Sequence, residues 1–90
     1  MDVRDIILLE RTSIEEQERM HRVRLPGRNE TIAFGFNNGA WQQLIDTMEE
    51  GDELWTFTNS PETWENLAGR SGVALVRRDE VIRTLVTLMS

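Results

Sequence analysis

The sequence predicts a single α+β domain, an antiparallel sheet of four or five strands covered by one main amphipathic helix. Three observations carry this. Between residues 51 and 89, three runs rich in β-branched and aromatic residues are separated by a structured connection and a tight turn. Upstream, Trp41, Leu44, Ile45 and Met48 fall at i, i+3, i+4 and i+7, an apolar stripe of helical period. Ninety residues with three tryptophans and 39% apolar residues suffice for one core and not for two.

In chain order, residues 3–10 hold Ile6-Ile7-Leu8-Leu9, a short apolar run that predicts a strand buried on both faces in the middle of the sheet. Ser13 and Glu16 have capping-box spacing and open a short helix over 14–20. Its pattern is poor, because Gln17 and Glu18 stand three and four places beyond Ile14. From His21 the pattern alternates, Val23 and Leu25 against Arg22 and Arg24. Pro26-Gly27-Arg28-Asn29 is turn-like, and 30–36 alternates again with Ile32, Phe34 and Phe36 on one face. These segments predict a hairpin of 21–25 with 30–36.

Asn37 or Asn38 can cap the main helix, predicted over 39–50, with Gly51 as the left-handed residue beyond it. In 54–58, Trp55 and Phe57 share a face. Ser60-Pro61 starts a short helix to about residue 67. Trp64, Leu67 and Ala68 are its inner side, Gly69 stops it, and Gly72 precedes a strand over 73–77. The turn within Arg77-Arg78-Asp79-Glu80 has no glycine, so its register stays open. A strand over 81–89 closes the sequence, with Ile82, Thr84, Val86 and Leu88 toward the core. Trp41 and Trp64 are expected in the core.

Composition excludes several kinds of chemistry. Without cysteine there is no disulfide, thiolate nucleophile or cysteine-ligated metal. All ten basic residues are arginine, which removes a Schiff-base or phosphate-binding lysine. No apolar run approaches the roughly 20 residues of a membrane span, and the N-terminal run is too short for a signal peptide. A cytoplasmic protein with no membrane contact is expected. The net charge of -6 argues against nucleic acid. The acid excess is local: residues 31–60 carry Asp46, Glu49, Glu50, Asp52 and Glu53 and no base.

Candidate chemistry is sparse. His21 is the only histidine, so a histidine zinc site would need carboxylates for its other ligands, and a surface or half-buried strand histidine is the simpler reading. Ser13 and Ser60 are explained as caps, and no serine sits in a Gly-x-Ser-x-Gly elbow. Glu62 and Glu65, three apart, read as the solvent face of a short helix. Residues 68–72, with two glycines and Arg70, have neither P-loop nor dinucleotide spacing. Asp46, Glu49, Glu50, Asp52 and Glu53 read as a solvated face or as a docking patch for a basic partner. Their spacing matches no calcium loop. No metal or other cofactor is expected.

The stretch from Asp52-Glu53-Leu54-Trp55 through Pro61-Glu62-Thr63-Trp64 to Gly72-Val73-Ala74-Leu75-Val76 resembles small bacterial proteins of unassigned function. The resemblance covers the C-terminal half. It implies a bacterial cytoplasmic origin and transfers no activity and no site.

Two functions compete. One is a non-catalytic module that self-associates or binds a partner through the acidic region. The other is a small-molecule binder or minor enzyme with a pocket near Trp64 and Arg70. The absence of a nucleophile–base set favours the first. A homodimer is expected from the strand over 81–89, whose outer side still offers Val81, Leu85 and Met89. Its free edge has neither lysine nor proline and would be filled by residues 3–9 or by a second copy.

Overall fold

The computed structural model describes residues 5–24, 26–27 and 30–89. The architecture is α+β. Strands β1 (Ile7–Thr12), β4 (Glu53–Thr58), β5 (Arg70–Arg77) and β6 (Glu80–Met89) form one antiparallel sheet in the order β1-β4-β5-β6. Between β1 and β4 the chain makes helix α1 (Ile14–Met20), a ribbon of β2 (Arg22–Arg24) and β3 (Thr31–Ala33), a 3-10 turn (Gly35–Asn37) and helix α2 (Asn38–Thr47). Helix α3 (Pro61–Glu65) joins β4 to β5. Val3, Arg4, Leu25, Arg28 and Asn29, which figure in the predicted strands and turns, lie outside the described residues.

The predicted apolar stripe builds the core. Trp41 and Leu44 are wholly buried, and Ile45 and Met48 pack beside them on Leu54, Val73, Leu75 and Leu85 of the sheet. Phe34 lies against Trp41 and Ile14 joins from α1, so α1, α2 and the ribbon all belong to this one side. The molecule is flat, with extents of 40 × 34 × 18 Å. That thickness is about two layers at the usual spacing of roughly 10 Å.

Several local expectations are corrected. The N-terminal strand is an edge, paired with β4 alone, and Ile7 and Leu9 are exposed. Four apolar residues in a row populate both faces of a strand, but the core under α2 draws its sheet residues from β4, β5 and β6. The continuously buried strand is β5, over Val73, Ala74, Leu75 and Val76. Helix α2 stops at Thr47 rather than near residue 50, and Met48 is extended. One contact to β5 and one within the following turn hold this end: Arg77 donates to the Thr47 carbonyl at 3.1 Å, and the Asp52 carboxylate takes the Glu49 N–H at 2.8 Å.

Strand β3 also ends early. Phe34 is left-handed at φ 63°, which breaks the alternation; Phe34 turns inward and Phe36 stands in solvent. In the capping box, Ser13 Oγ accepts from Glu16 N at 3.1 Å, whereas the Glu16 carboxylate takes the Thr12 hydroxyl at 3.3 Å. The poor pattern of α1 has a cause: its buried residue is Gln17, whose amide donates to Thr12 Oγ1 at 3.0 Å.

The connection from α3 to β5 reads differently in three dimensions. Leu67, not Gly69, ends the helix. It is left-handed at φ 58°, with Ala68 N bonded to the Thr63 carbonyl and Leu67 N to the Trp64 carbonyl, the Schellman arrangement. Its side chain therefore points out, and Ala68 is exposed as well. Gly69 serves packing: a Cβ there would lie 2.2 Å from Trp64 Cδ2. Gly72 lies inside β5, where a Cβ would lie 1.9 Å from the Leu85 carbonyl oxygen.

The last turn resolves as a two-residue hairpin with Arg78 and Asp79 both left-handed (φ 52° and 65°) and Arg77 opposite Glu80. Strand β6 then carries two bulges, at Ile82 and Thr87, where the register against β5 slips by one residue. Each bulge flips the alternation. Leu85 is therefore the β6 residue buried in the core, while Ile82 and Leu88 are exposed.

Candidate functional site

The sheet has a second face, and no helix lies on it among the described residues. Its centre is Phe57 on β4 with Ala74 and Val76 on β5, all buried. Around them pack Ile6 and Leu8 from the first strand and its approach, Trp55 from β4, and Val81 and Val86 from β6. Strand alternation puts these residues on the side opposite the core: Leu54, Val73 and Leu75 face α2, and Phe57, Ala74 and Val76 face away. Phe57 stands opposite Leu8 on one neighbour and Gly72 on the other, and Trp55 stands opposite Ala74. Phe57, Ala74 and Val76 are thus buried within the single chain. Leu8, Trp55, Val81, Thr84 and Val86 remain half-buried.

Strand alternation also puts Arg11, Glu53 and Arg70 on this face, the first two as a pair at one corner. Arg11 pairs with Glu53 at 3.1 Å, and the Trp55 indole N–H donates to the other Glu53 oxygen at 2.9 Å. Thr56 Oγ1 accepts from Glu10 N at 3.2 Å, which bridges the bulge between Leu8 and Arg11 on β1.

The acidic residues are divided among several tasks. Arg77 clamps Asp52 through Nε and Nη2, both at 2.8 Å, and reaches Glu49 at 2.8 Å. The Asp52 side chain is 2% exposed. The Arg77 hydrogen bonds, helped by the Glu49 N–H, hold its carboxyl down to about 2. The same hydrogen bonds raise the Arg77 guanidinium. Glu53 belongs to the Trp55 corner. Asp46 and Glu50 are exposed and form no ion pair among the described residues.

Trp64 and Arg70 both meet Gly69. The Trp64 ring lies over Gly69 and its indole N–H donates to Thr58 Oγ1 at 3.0 Å, while an Arg70 guanidinium N–H donates to the Gly69 carbonyl at 2.9 Å. Trp64 is half-buried rather than a core residue. Ser13 and Ser60 are caps, with Ser60 Oγ accepting from Thr63 N at 3.3 Å. Glu62 and Glu65 are exposed. His21 stacks on Phe34, with ring centroids 4.6 Å apart.

Sequence reasoning missed the polar residues that tie distant segments together. Asn59 is 2% exposed; its Oδ1 takes Arg70 N at 2.7 Å and its amide donates to the Asp5 carbonyl at 3.2 Å. The Asp5 carboxylate takes the Thr63 hydroxyl at 2.6 Å. Glu18 accepts the Trp41 indole N–H at 3.0 Å, 23 positions away. Nothing in residue spacing announces such long-range pairs. The helix-free face is more legible, since Trp55 and Phe57 share a strand face and Val81 falls on the outer side of its strand, although Leu85, expected beside it, lies in the core.

Among the described residues no group of three or more histidine, aspartate or glutamate side chains is placed to hold a metal ion, and no helix is long and apolar enough to cross a membrane. No protein-family model matches this chain, and neither the curated proteins nor the solved structures yield a match.

Proposed function

We propose that the protein is a non-catalytic self-association module, two copies meeting through the helix-free faces of their sheets. The observation that carries this reading is the apolar face around Phe57, Ala74 and Val76, on which no helix of the described chain packs. A sheet with two apolar faces gains by covering both. Two such sheets would stack at the usual distance of roughly 10 Å, with the helices outside.

The area is modest. Four strands about 4.8 Å apart, with about seven residues each at about 3.3 Å, make a face of roughly 19 by 23 Å. Two such faces in contact remove roughly 900 Å² from water, at the small end for specific association, which suits a weak dimer.

The alternative route, edge-to-edge pairing through β6, is less favoured. The first strand sits on β4, so it does not fill the outer edge of β6. That edge is nonetheless blunted by bulges at Ile82 and Thr87, which leave a short regular stretch between them.

Light scattering coupled to size exclusion at micromolar concentration tests the reading. The native chain should elute with the mass of two chains, and Leu8→Arg or Val86→Arg should return the mass of one with an unchanged circular dichroism spectrum. A single-chain mass for the native protein, constant on concentration, would overturn it.

A further inference from the structure

The helix-free face carries one charge without an acid to meet it. Arg70 opens β5, and alternation with Gly72, Ala74 and Val76 turns it to the side of the Phe57 cluster. It is half-buried and forms no ion pair among the described residues. One guanidinium N–H goes to the Gly69 carbonyl at 2.9 Å, which leaves most of a planar five-donor group for another partner. The acids at this end of the molecule are otherwise disposed. The Asp5 carboxylate takes the Thr63 hydroxyl at 2.6 Å and the Ser60 N–H at 3.4 Å, and Glu62 and Glu65 are exposed on α3. A second sheet laid over Arg70 without offering it an acid would bury an unpaired cation, which opposes association.

An acid is available at the far end of the same face. Glu53 stands opposite Val76, six residues along β5 from Arg70, or roughly 20 Å at about 3.3 Å per residue. Within one chain the two cannot meet. The Glu53 side chain is 39% exposed, with Arg11 on one oxygen and the Trp55 indole on the other, and each oxygen can accept a further bond. Beside it, Gly51, Val76, Arg78 and Asp79 complete the lining of a hollow of about 220 Å³. Glu53 and Asp79 balance Arg11 and Arg78 there, so an arriving guanidinium meets no net positive charge.

We propose that the two copies of the dimer lie with opposite ends together, the Arg70 guanidinium of each seated in the hollow beside Glu53 of the other. This rests on the face-to-face reading above and adds its orientation and its charge pair. A two-fold axis running across the strands lays β5 over β5 with its ends exchanged, so Arg70 comes down at Val76 of the second copy. Glu53 is then one strand to the side, about 4.8 Å away, and symmetry makes the pair twice. An axis along the strands would instead set the two Arg70 side chains about one strand apart. It would also gather both α3 helices, with Glu62 and Glu65, at one end. Like charges brought together select against that arrangement.

Two measurements on the full chain test this. In sedimentation equilibrium, Arg70→Glu should weaken the dimer roughly ten-fold, because a pair worth a few-fold is lost twice; Arg70→Lys should keep most of the affinity. Orientation is read by thiol cross-linking, since the chain has no cysteine of its own. Met89 lies opposite Arg70, and Asp79 lies at the hollow; both are exposed. A mixture of Met89→Cys and Asp79→Cys should be joined by a short bis-maleimide, and neither variant should be joined to itself. A native dimer indifferent to Arg70→Glu would overturn the pairing, and Arg70→Cys chains that cross-link to one another would overturn the orientation. Either result leaves the face-to-face reading standing. A single-chain mass for the native protein would remove both.

Discussion

Asp52 shows how one residue can change its meaning between sequence and structure. In the sequence it is one of five neighbouring acids; in the fold its carboxylate is buried, gripped by two guanidinium hydrogen bonds from Arg77 and by the Glu49 N–H. Its carboxyl is held down to about 2 from an ordinary 3.8. A depressed carboxylate contributes stability that is fully present above its unfolded value and is lost as the pH falls through its folded one. Between about pH 4 and pH 2 the native protein should therefore lose stability more steeply than Asp52→Asn. Denaturant midpoints across that window measure it, and parallel curves would dismiss the clamp as a stabilising pair.

Trp41 makes the complementary case for an apolar side chain. It is wholly buried, packs at a tilt against Phe34 and places its N–H on Glu18. Trp41→Ala should cost about 3–5 kcal/mol in chemical denaturation, as expected for a large-to-small change in a core. An unmoved midpoint would mean that α2 does not anchor the fold.

At the scale of elements, backbone conformation departs furthest from what residue type suggests. The sequence offers Gly69 and Gly72 as punctuation between α3 and the next strand. The chain instead puts Leu67, Arg78 and Asp79 in the left-handed region and spends both glycines on close approach, one under the Trp64 ring and one beneath the Leu85 carbonyl. Leu67 is 78% exposed, so its side chain contributes little there while its Cβ strains the backbone. Leu67→Gly should accordingly leave stability unchanged or raise it by up to about 1 kcal/mol. Thermal unfolding of the variant checks this, and clear destabilisation would show that Leu67 makes a contact its exposure does not suggest.

For the whole molecule, local stability should follow position in the sheet. β5 is paired on both sides and buried on both faces over Val73, Ala74, Leu75 and Val76. The ribbon of β2 and β3 has three residues in each arm and a wholly exposed first arm. In native-state hydrogen exchange the β5 amides should exchange only by global unfolding, and those of the ribbon by local opening orders of magnitude faster. Equal protection would mean that the ribbon is as firmly part of the fold as the central strands. If the two helix-free faces meet, added protection on dimerisation should appear along β4 and β6 and spare α2.

The sequence by itself determined the class of the fold, the main helix, the cap at Ser60 and the capping hydrogen bond at Ser13. These rest on periodicity and on hydrogen bonds three residues apart, interactions that are complete within one segment. Trp41 could be assigned to the core because its stripe is amphipathic whatever it packs against. Tertiary structure decided strand order, the end of α2 at Thr47, the bulges of β6 and the partners of the acidic residues. In each case the deciding contact joins residues far apart in sequence, Arg77 to Asp52 and Thr47, or Asn59 to Asp5. A strand also looks the same to its own sequence whether it lies in the middle of a sheet or at its edge. The exposure of Ile7 and Leu9 on β1, and the second apolar cluster around Phe57, arise only once the other strands are in place.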